Sequence, residues 1–189
     1  MIARRCQDKE TVDKLIKEIG WYDNYLKKGG VDRSANTTPG NKKGGLSNIK
    51  EKSMGSIAKS GNSPIVDVLG PAEIPTKSGM NFIATPASDI VCGPTQLASG
   101  ITLQVFSTGR GTPFGTFVPT MKISTNSNLY NNKKNWIDFN AGQLVDGKSM
   151  MELVPEFIDK VLAVASGEQA QNEKNGYREI SIFKNGVTL

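Results

Sequence analysis

The sequence predicts an α/β fold, a mostly parallel sheet flanked by helices in Rossmann-like layers with an N-terminal helical arm. Three observations predict it. Four short runs enriched in Val, Ile and Phe, at 65–69, 81–85, 101–107 and 120–125, are each bounded by Gly, Pro or Ser, as strands are. Between the second and third run, 89–99 ("DIVCGPTQLAS") has the length and composition of a crossover helix, which gives a strand–helix–strand unit. Amphipathic helical patterns occupy both ends of the chain.

Taken in order, 10–28 repeats Val12, Leu15, Ile16, Ile19, Tyr22 and Leu26 at helical steps, and Gly29-Gly30 stop the pattern. So broad an apolar face needs a partner to pack against. The segment 29–45 ("GGVDRSANTTPGNKKGG") reads as a long loop. The next helix carries Leu46, Ile49, Met54, Ile57 and Ala58 on one face, with Ser47 as its N-cap and Gly61 as its stop. In the third strand Ile101, Leu103 and Val105 alternate onto one side, and Gly93-Pro94 should interrupt the helix before it. The last long helix opens on a capping box, Ser149 with Glu152 three residues on, and closes at Gly167. Its Pro155 requires either a kink or a later start, nearer Val154. The stretch "EISIF", 179–183, reads as an edge strand.

Composition excludes several functions. The chain has 189 residues and a formal charge of 23 − 18 = +5, but its lysines are interleaved with acids and its aromatics amount to only 7%. That pattern argues against nucleic acid and suits an acidic small molecule. No apolar run reaches the ~18 residues of a membrane span. Two cysteines far apart, Cys6 and Cys92, and no secretion signal at the start fit the cytoplasm. Histidine is absent, so acid–base work falls to Lys, Asp, Glu, Tyr or Cys.

The stretch with most chemical content is "ITLQVFSTGRGTPFG". Its glycines miss the dinucleotide fingerprint, since Phe114 stands where the third is needed and Pro113 where a helix should open. What remains is a strand whose carboxyl end runs into Thr108, Gly109, Arg110, Gly111 and Thr112. Glycine lets backbone approach a ligand, and a guanidinium matches a carboxylate bidentately. The turn therefore reads as a carboxylate clamp, or as a tight turn whose Arg110 pairs with a structural acid.

Together, "STGRGTPFG", "PGNKKGGLSNIKEKSMGSIAKSG", "ATPASDIVCG", "DFNAG" and "VASG", in this order over about Thr38 to Gly167, resemble the galactarate/altronate dehydratase family. The resemblance implies a metal-assisted hydro-lyase acting on a sugar acid, with a divalent cation, Fe²⁺, as cofactor. It implies that the chain is a C-terminal domain of such an enzyme, with 1–37 a helix and linker and 38–189 the α/β domain, in a homo-oligomer. Such chemistry needs a base, an acid and positive charge at the substrate carboxylate. Arg110, backed by Gly109 and Gly111, is the first choice for the carboxylate. Asn41, Lys42 and Lys43 either meet a second carboxylate or form a solvated loop. Glu51 and Lys52 supply a base or ligand, or are exposed helical charges. For metal, Asp138 (with Asn140 on the same face) and Asp89 are candidates; the alternatives are a turn network and a helix cap. Cys92 either ligates iron or packs. A non-catalytic oligomerisation or acid-binding module is the rival reading.

Overall fold

The structure, a computed structural model, describes residues 1–28 and 37–181. The described chain forms two compact units, Met1–Ser88 and Asp89–Ser181. The α/β class holds. Its parallel strands divide between two small sheets, one of two strands and one of three.

In the first unit a 3-10 turn, Ile2–Arg5, leads into α1, Lys9–Lys28. Two short helices, α2 (Pro39–Lys43) and α3 (Ile49–Lys59), precede the parallel strands β1 (Ile65–Leu69) and β2 (Met80–Ile83). Leu15, Ile65 and Val68 make the core, with Ile2, Cys6, Met80 and Phe82 against it. The inward stripe of α1 is Thr11, Leu15 and Tyr25, whereas Ile16 and Ile19 are exposed. A two-stranded sheet covers only a narrow band of a helix, so much of the broad apolar face stays outside. Asp67 on β1 is buried and paired with Lys14 at 2.8 Å, and that bond holds its carboxyl below the usual range.

Of the expected loop 29–45, residues 29–36 lie outside the described residues, and its end is ordered as α2. Thr38 and Asn41 form a reciprocal capping box there, with proline in the first turn. The N-cap of α3 is Asn48 rather than Ser47. Ser47 instead donates from its N–H and hydroxyl to Glu51.

The second unit runs α4 (Asp89–Ala98), β3 (Gln104–Thr108), β4 (Thr120–Ser124), α5 (Ser127–Asn132), β5 (Phe139–Asn140), a 3-10 turn Ala141–Leu144, α6 (Met150–Ala165) and α7 (Gln171–Lys174). The sheet order is β3-β4-β5, all parallel, with Thr108 beside Ser124 and Ser124 beside Asn140. Met121, Val164 and Ala170 form its core with Leu103, Phe139, Phe157 and Val161.

Four features depart from the sequence expectation. β2 and β3 belong to different sheets, so α4 does not join two strands of one parallel sheet. α4 runs unbroken through Gly93-Pro94. The carbonyl of Ile90, which a residue 94 N–H would have bonded, accepts from Ser181 N–H at 3.0 Å instead. Gly93 lets Phe114 and Thr116 close in, since a Cβ there would stand 2.5 Å from the Phe114 ring. On β3, Gln104 is buried and Val105 exposed, because Gln104 reaches Gln96 at 3.0 Å while the edge strand turns Val105 outward. Residues 179–181 form no strand. The Glu179 and Ser181 N–H groups donate to the isolated carbonyls of Gly115 and Ile90 rather than to a strand, and 182–183 lie outside the described residues. The capping box of α6 forms as expected. The helix continues past Pro155, and Met151, whose carbonyl loses its N–H partner, is 88% exposed to water.

Candidate functional site

Open parallel sheets bind ligands beyond the carboxyl ends of their strands. In the second unit those ends are Thr108, Ser124 and Asn140, in neighbouring register. The chain leaving each end is short, polar and tied to the others.

From β3 comes the Gly109-Arg110-Gly111 turn. Thr108 Oγ1 accepts from Gly111 N–H at 3.0 Å, and Thr125 N–H donates to the Thr108 carbonyl at 3.1 Å. Asn126 donates its side-chain N–H to the Gly109 carbonyl at 3.0 Å. Gly111 has φ +87°, in the left-handed region, and a Cβ there would sit 2.9 Å from Leu129. The backbone is thus fixed, while Arg110 is exposed. Among the described residues no acid pairs with its guanidinium.

Downstream, Lys122 holds the same segment from beneath. Its side chain is 0% exposed, and its Nζ donates to the carbonyls of Pro113 (3.2 Å) and Phe114 (3.0 Å). Burial pushes this ammonium below its ordinary range, and Asp138 and Glu179 oppose the shift. Gly115 N–H donates to Glu179 at 2.7 Å, and Asn172 accepts from Thr120 N–H at 3.0 Å, which closes the frame.

β4 ends at Ser124, followed by Asn126, which caps α5 by accepting from Leu129 N–H at 2.8 Å. β5 ends at Asn140, which accepts from Gly142 N–H at 3.0 Å and donates to Ser127 Oγ at 2.8 Å. Gly142 presses on the start of α5, where a Cβ would fall 2.2 Å from Ser127 N. Between α5, β5 and this turn opens a cleft of about 550 Å³.

Asp138 stands at the floor of that cleft. Its two oxygens accept from the backbone N–H groups of Lys122 (2.7 Å) and Gln171 (2.8 Å), while burial raises its carboxyl above the usual range. Asp89 lies in the exposed first turn of α4, a position the helix dipole favours for an acid. Among the described residues no three His, Cys, Asp or Glu side chains stand together as a metal would need. With both oxygens of Asp138 already engaged, these side chains do not by themselves compose a ligand set.

The remaining sequence candidates lie in the first unit. Lys52 is half-buried and its Nζ donates to Asn41 Oδ1 at 3.3 Å, so α2 and α3 bring these two together. Lys42 and Lys43 are exposed in the last turn of α2. Glu51 is engaged by Ser47, whose two hydrogen bonds hold its carboxyl below the usual range. Cys92 is half-buried on α4, with the Gln96 amide 3.5 Å from its sulfur. As site residues, Lys122, Asn126, Ser127, Tyr130 and Gly142 were missed. Lys122 carried a signal as a lone charge within the apolar run "TMKIS", and Gly142 as the end of the "DFNAG" motif.

Against known proteins, residues 1–188 match the family described as D-galactarate/altronate dehydratase, C-terminal. Over 171 residues the chain is 51% identical to the galactarate dehydratase (L-threo-forming) of Escherichia coli K12, covering 89% of this chain and 33% of that protein. It is 43% identical to the altronate dehydratase of the same organism over 189 residues, 100% of this chain and 38% of the relative. The altronate dehydratase of Bacillus subtilis 168 is 41% identical over 190 residues, again 100% and 38%. The chain thus spans 33 to 38% of the length of these relatives.

Proposed function

The chain belongs to the D-galactarate/altronate dehydratase C-terminal family, and from that membership we propose that it is the acid-binding domain of a sugar-acid hydro-lyase. The reaction removes the proton beside a substrate carboxylate, expels the β-hydroxyl as water and leaves a 2-keto-3-deoxy acid after tautomerisation. A proton so weakly acidic leaves only if the negative charge gathering on the carboxylate oxygens is stabilised.

Arg110 supplies that stabilisation in our reading, with Thr108, Gly109 and Gly111 shaping the turn behind it. The observation that carries the reading is an exposed guanidinium, unpaired among the described residues, on an immobilised turn at a sheet's carboxyl edge. Of the two α3 residues, Lys52 is retained for proton transfer, since Glu51 is committed to the helix start. Asn41 orients Lys52, and Lys43 is kept as a contact for a second carboxylate. A divalent cation, Fe²⁺, would add positive charge at the enediolate oxygens. Asp138 and Asp89 stay its candidate ligands, and among the described residues no third acidic or cysteine side chain joins either of them. The absence of a disulfide between Cys6 and Cys92 supports a cytoplasmic setting, and no described helix is long and apolar enough to cross a membrane.

The test is calorimetric titration of galactarate into the chain and its Arg110→Ala and Arg110→Lys variants. A charge-assisted bidentate pair predicts a loss of about 10-fold or more in the alanine variant, with lysine restoring only part of it. Unchanged affinity in both variants removes Arg110 from the site.

One observation favours a second reading, an assembly module. The outer side of α6 exposes Met151, Val154, Ile158 and Leu162 at helical spacing, and α1 exposes Ile16 and Ile19. A homo-oligomer burying these faces would sediment above the monomer, and Ile158→Glu would return it to monomer. A wild-type chain that sediments as a monomer at high concentration ends this reading.

A further inference from the structure

The cleft beside α5 has a chemistry that the clamp leaves unused. Among its lining residues are Ser127, Tyr130, Asp138, Asn140, Gln143 and Asp146. None of its lining side chains is cationic, and its two carboxylates would repel an anion placed there. It is equally unsuited to an apolar guest, since nearly every lining residue brings a polar atom.

Each oxygen of Asp138 already accepts one backbone N–H. Asn140 is committed to Gly142 and Ser127. Ser127 Oγ donates to one oxygen of Asp146, which leaves that carboxylate's other oxygen as an acceptor. One N–H of Gln143 serves the Asn140 carbonyl at 3.0 Å, and its second is spare among the described residues. The Tyr130 hydroxyl makes no hydrogen bond among the described residues, although its ring is half-buried. The surplus is therefore two neutral donor groups and a carboxylate acceptor over about 550 Å³, which matches vicinal hydroxyl groups.

Helix α5 borders both features. Leu129 packs beneath Gly111 and Asn126 holds the Gly109 carbonyl, while Ser127 and Tyr130 face the cleft. Resting on the clamp reading for the acid end, we infer that this cleft is a hydroxyl-recognising subsite, built to take the polyhydroxylated stretch of a sugar acid and to reject its carboxylates. Tyr130 and Gln143 are its reading residues, with Asp146 accepting from a substrate hydroxyl.

Three probes separate the two ends of the ligand: galactarate, adipate (the same six-carbon diacid without hydroxyls) and galactitol (the hydroxyls without carboxylates). Each is titrated calorimetrically into the full chain, Tyr130→Phe, Gln143→Ala and Arg110→Ala, with circular dichroism checking the fold. One lost hydrogen bond predicts that Tyr130→Phe and Gln143→Ala each bind galactarate about 3- to 10-fold more weakly, with adipate unchanged. Arg110→Ala should weaken galactarate and adipate by the same factor and leave galactitol alone. If Tyr130→Phe discriminates while Arg110→Ala is silent, the clamp fails and the cleft stands. The subsite is overturned if wild type binds adipate as tightly as galactarate. It is overturned equally if Tyr130→Phe and Gln143→Ala leave galactarate unchanged or weaken both diacids alike, or if a folded chain ignores all three probes at millimolar concentration. Tyr130→Phe deletes one atom that has no hydrogen-bond partner among the described residues, and circular dichroism separates loss of structure from loss of binding.

Discussion

Replacing Gly142 with alanine tests how tightly the carboxyl edge of the three-stranded sheet is packed. An added Cβ would stand 2.2 Å from Ser127 N, 2.3 Å from Asn126 C and 2.4 Å from Asn126 Cα, all backbone atoms. Ordinary contact begins near 3.5 Å, so one segment must retreat by roughly an ångström. Retreat of α5's start breaks the Asn126 cap on Leu129 N–H, worth about 1 kcal/mol. It also strains the bonds from Asn126 to Gly109 and from Asn140 to Ser127, about 1 kcal/mol each. Forcing atoms into a filled site adds about 1–3 kcal/mol. The expected loss is therefore about 4–6 kcal/mol, much of the stability of an ordinary domain. Gly55, within α3 and with nothing within 4 Å of a built Cβ, is the matched control. Gly55→Ala should gain about 0.5–1 kcal/mol from helix propensity. Urea unfolding followed by circular dichroism reads both. A loss below about 1 kcal/mol for Gly142→Ala, with the slope against urea unchanged, would refute the packing described.

Two further predictions use the same measurement. Asp67→Asn should destabilise the first unit by about 1–3 kcal/mol at neutral pH, because it removes the partner of Lys14 from a buried position. The carboxyl of Asp67 is held below its ordinary value, so its contribution is present above the unfolded pKa and lost as pH falls through the folded one. The gap between wild type and variant should close below about pH 4, and a gap that widens in acid contradicts the pairing. Ser149→Ala removes the reciprocal bonds with Glu152 at the start of α6, costing about 1 kcal/mol or about 2–4 °C in melting temperature. An unchanged melting temperature would mean that α6 starts elsewhere.

Local signals were legible wherever the deciding atoms lie within a few residues. Ser149 and Glu152 announce the start of α6 because a capping box closes over three positions. The runs at 65–69 and 120–125 announce strands because branched side chains suit a pleat. What failed depended on distant partners. Pro94 sits inside a helix because Ser181, far along the chain, supplies the N–H that proline lacks. Ile16 and Ile19 read as core because their spacing is right, yet the sheet beneath α1 has only two strands to offer. Ser47 and Asn48 are both good caps, and only the geometry of Glu51 decides which one bonds to the helix.

At the carboxyl edge of the three-stranded sheet the same division explains what was found and what was missed. The Thr108–Thr112 turn was legible because glycine density and a lone guanidinium are local. Asn126, Ser127 and Tyr130 were not, since small polar residues and single tyrosines are common in any loop and acquire meaning only when strand ends converge. Lys122 matters most to the proposed clamp. A buried ammonium bonded to two backbone carbonyls fixes Pro113 and Phe114, just downstream of the turn, while Asn126 and Thr125 fix its upstream half. Folding thus completes the ordering of the backbone before any ligand arrives, and only the Arg110 side chain remains to be ordered on binding. Affinity for a carboxylate is reduced by every group that must be immobilised with it. A rigid turn whose cation is unpaired among the described residues keeps that loss small, and this is why the exposed Arg110, rather than the exposed Lys42 or Lys43, is the residue on which acid recognition should turn.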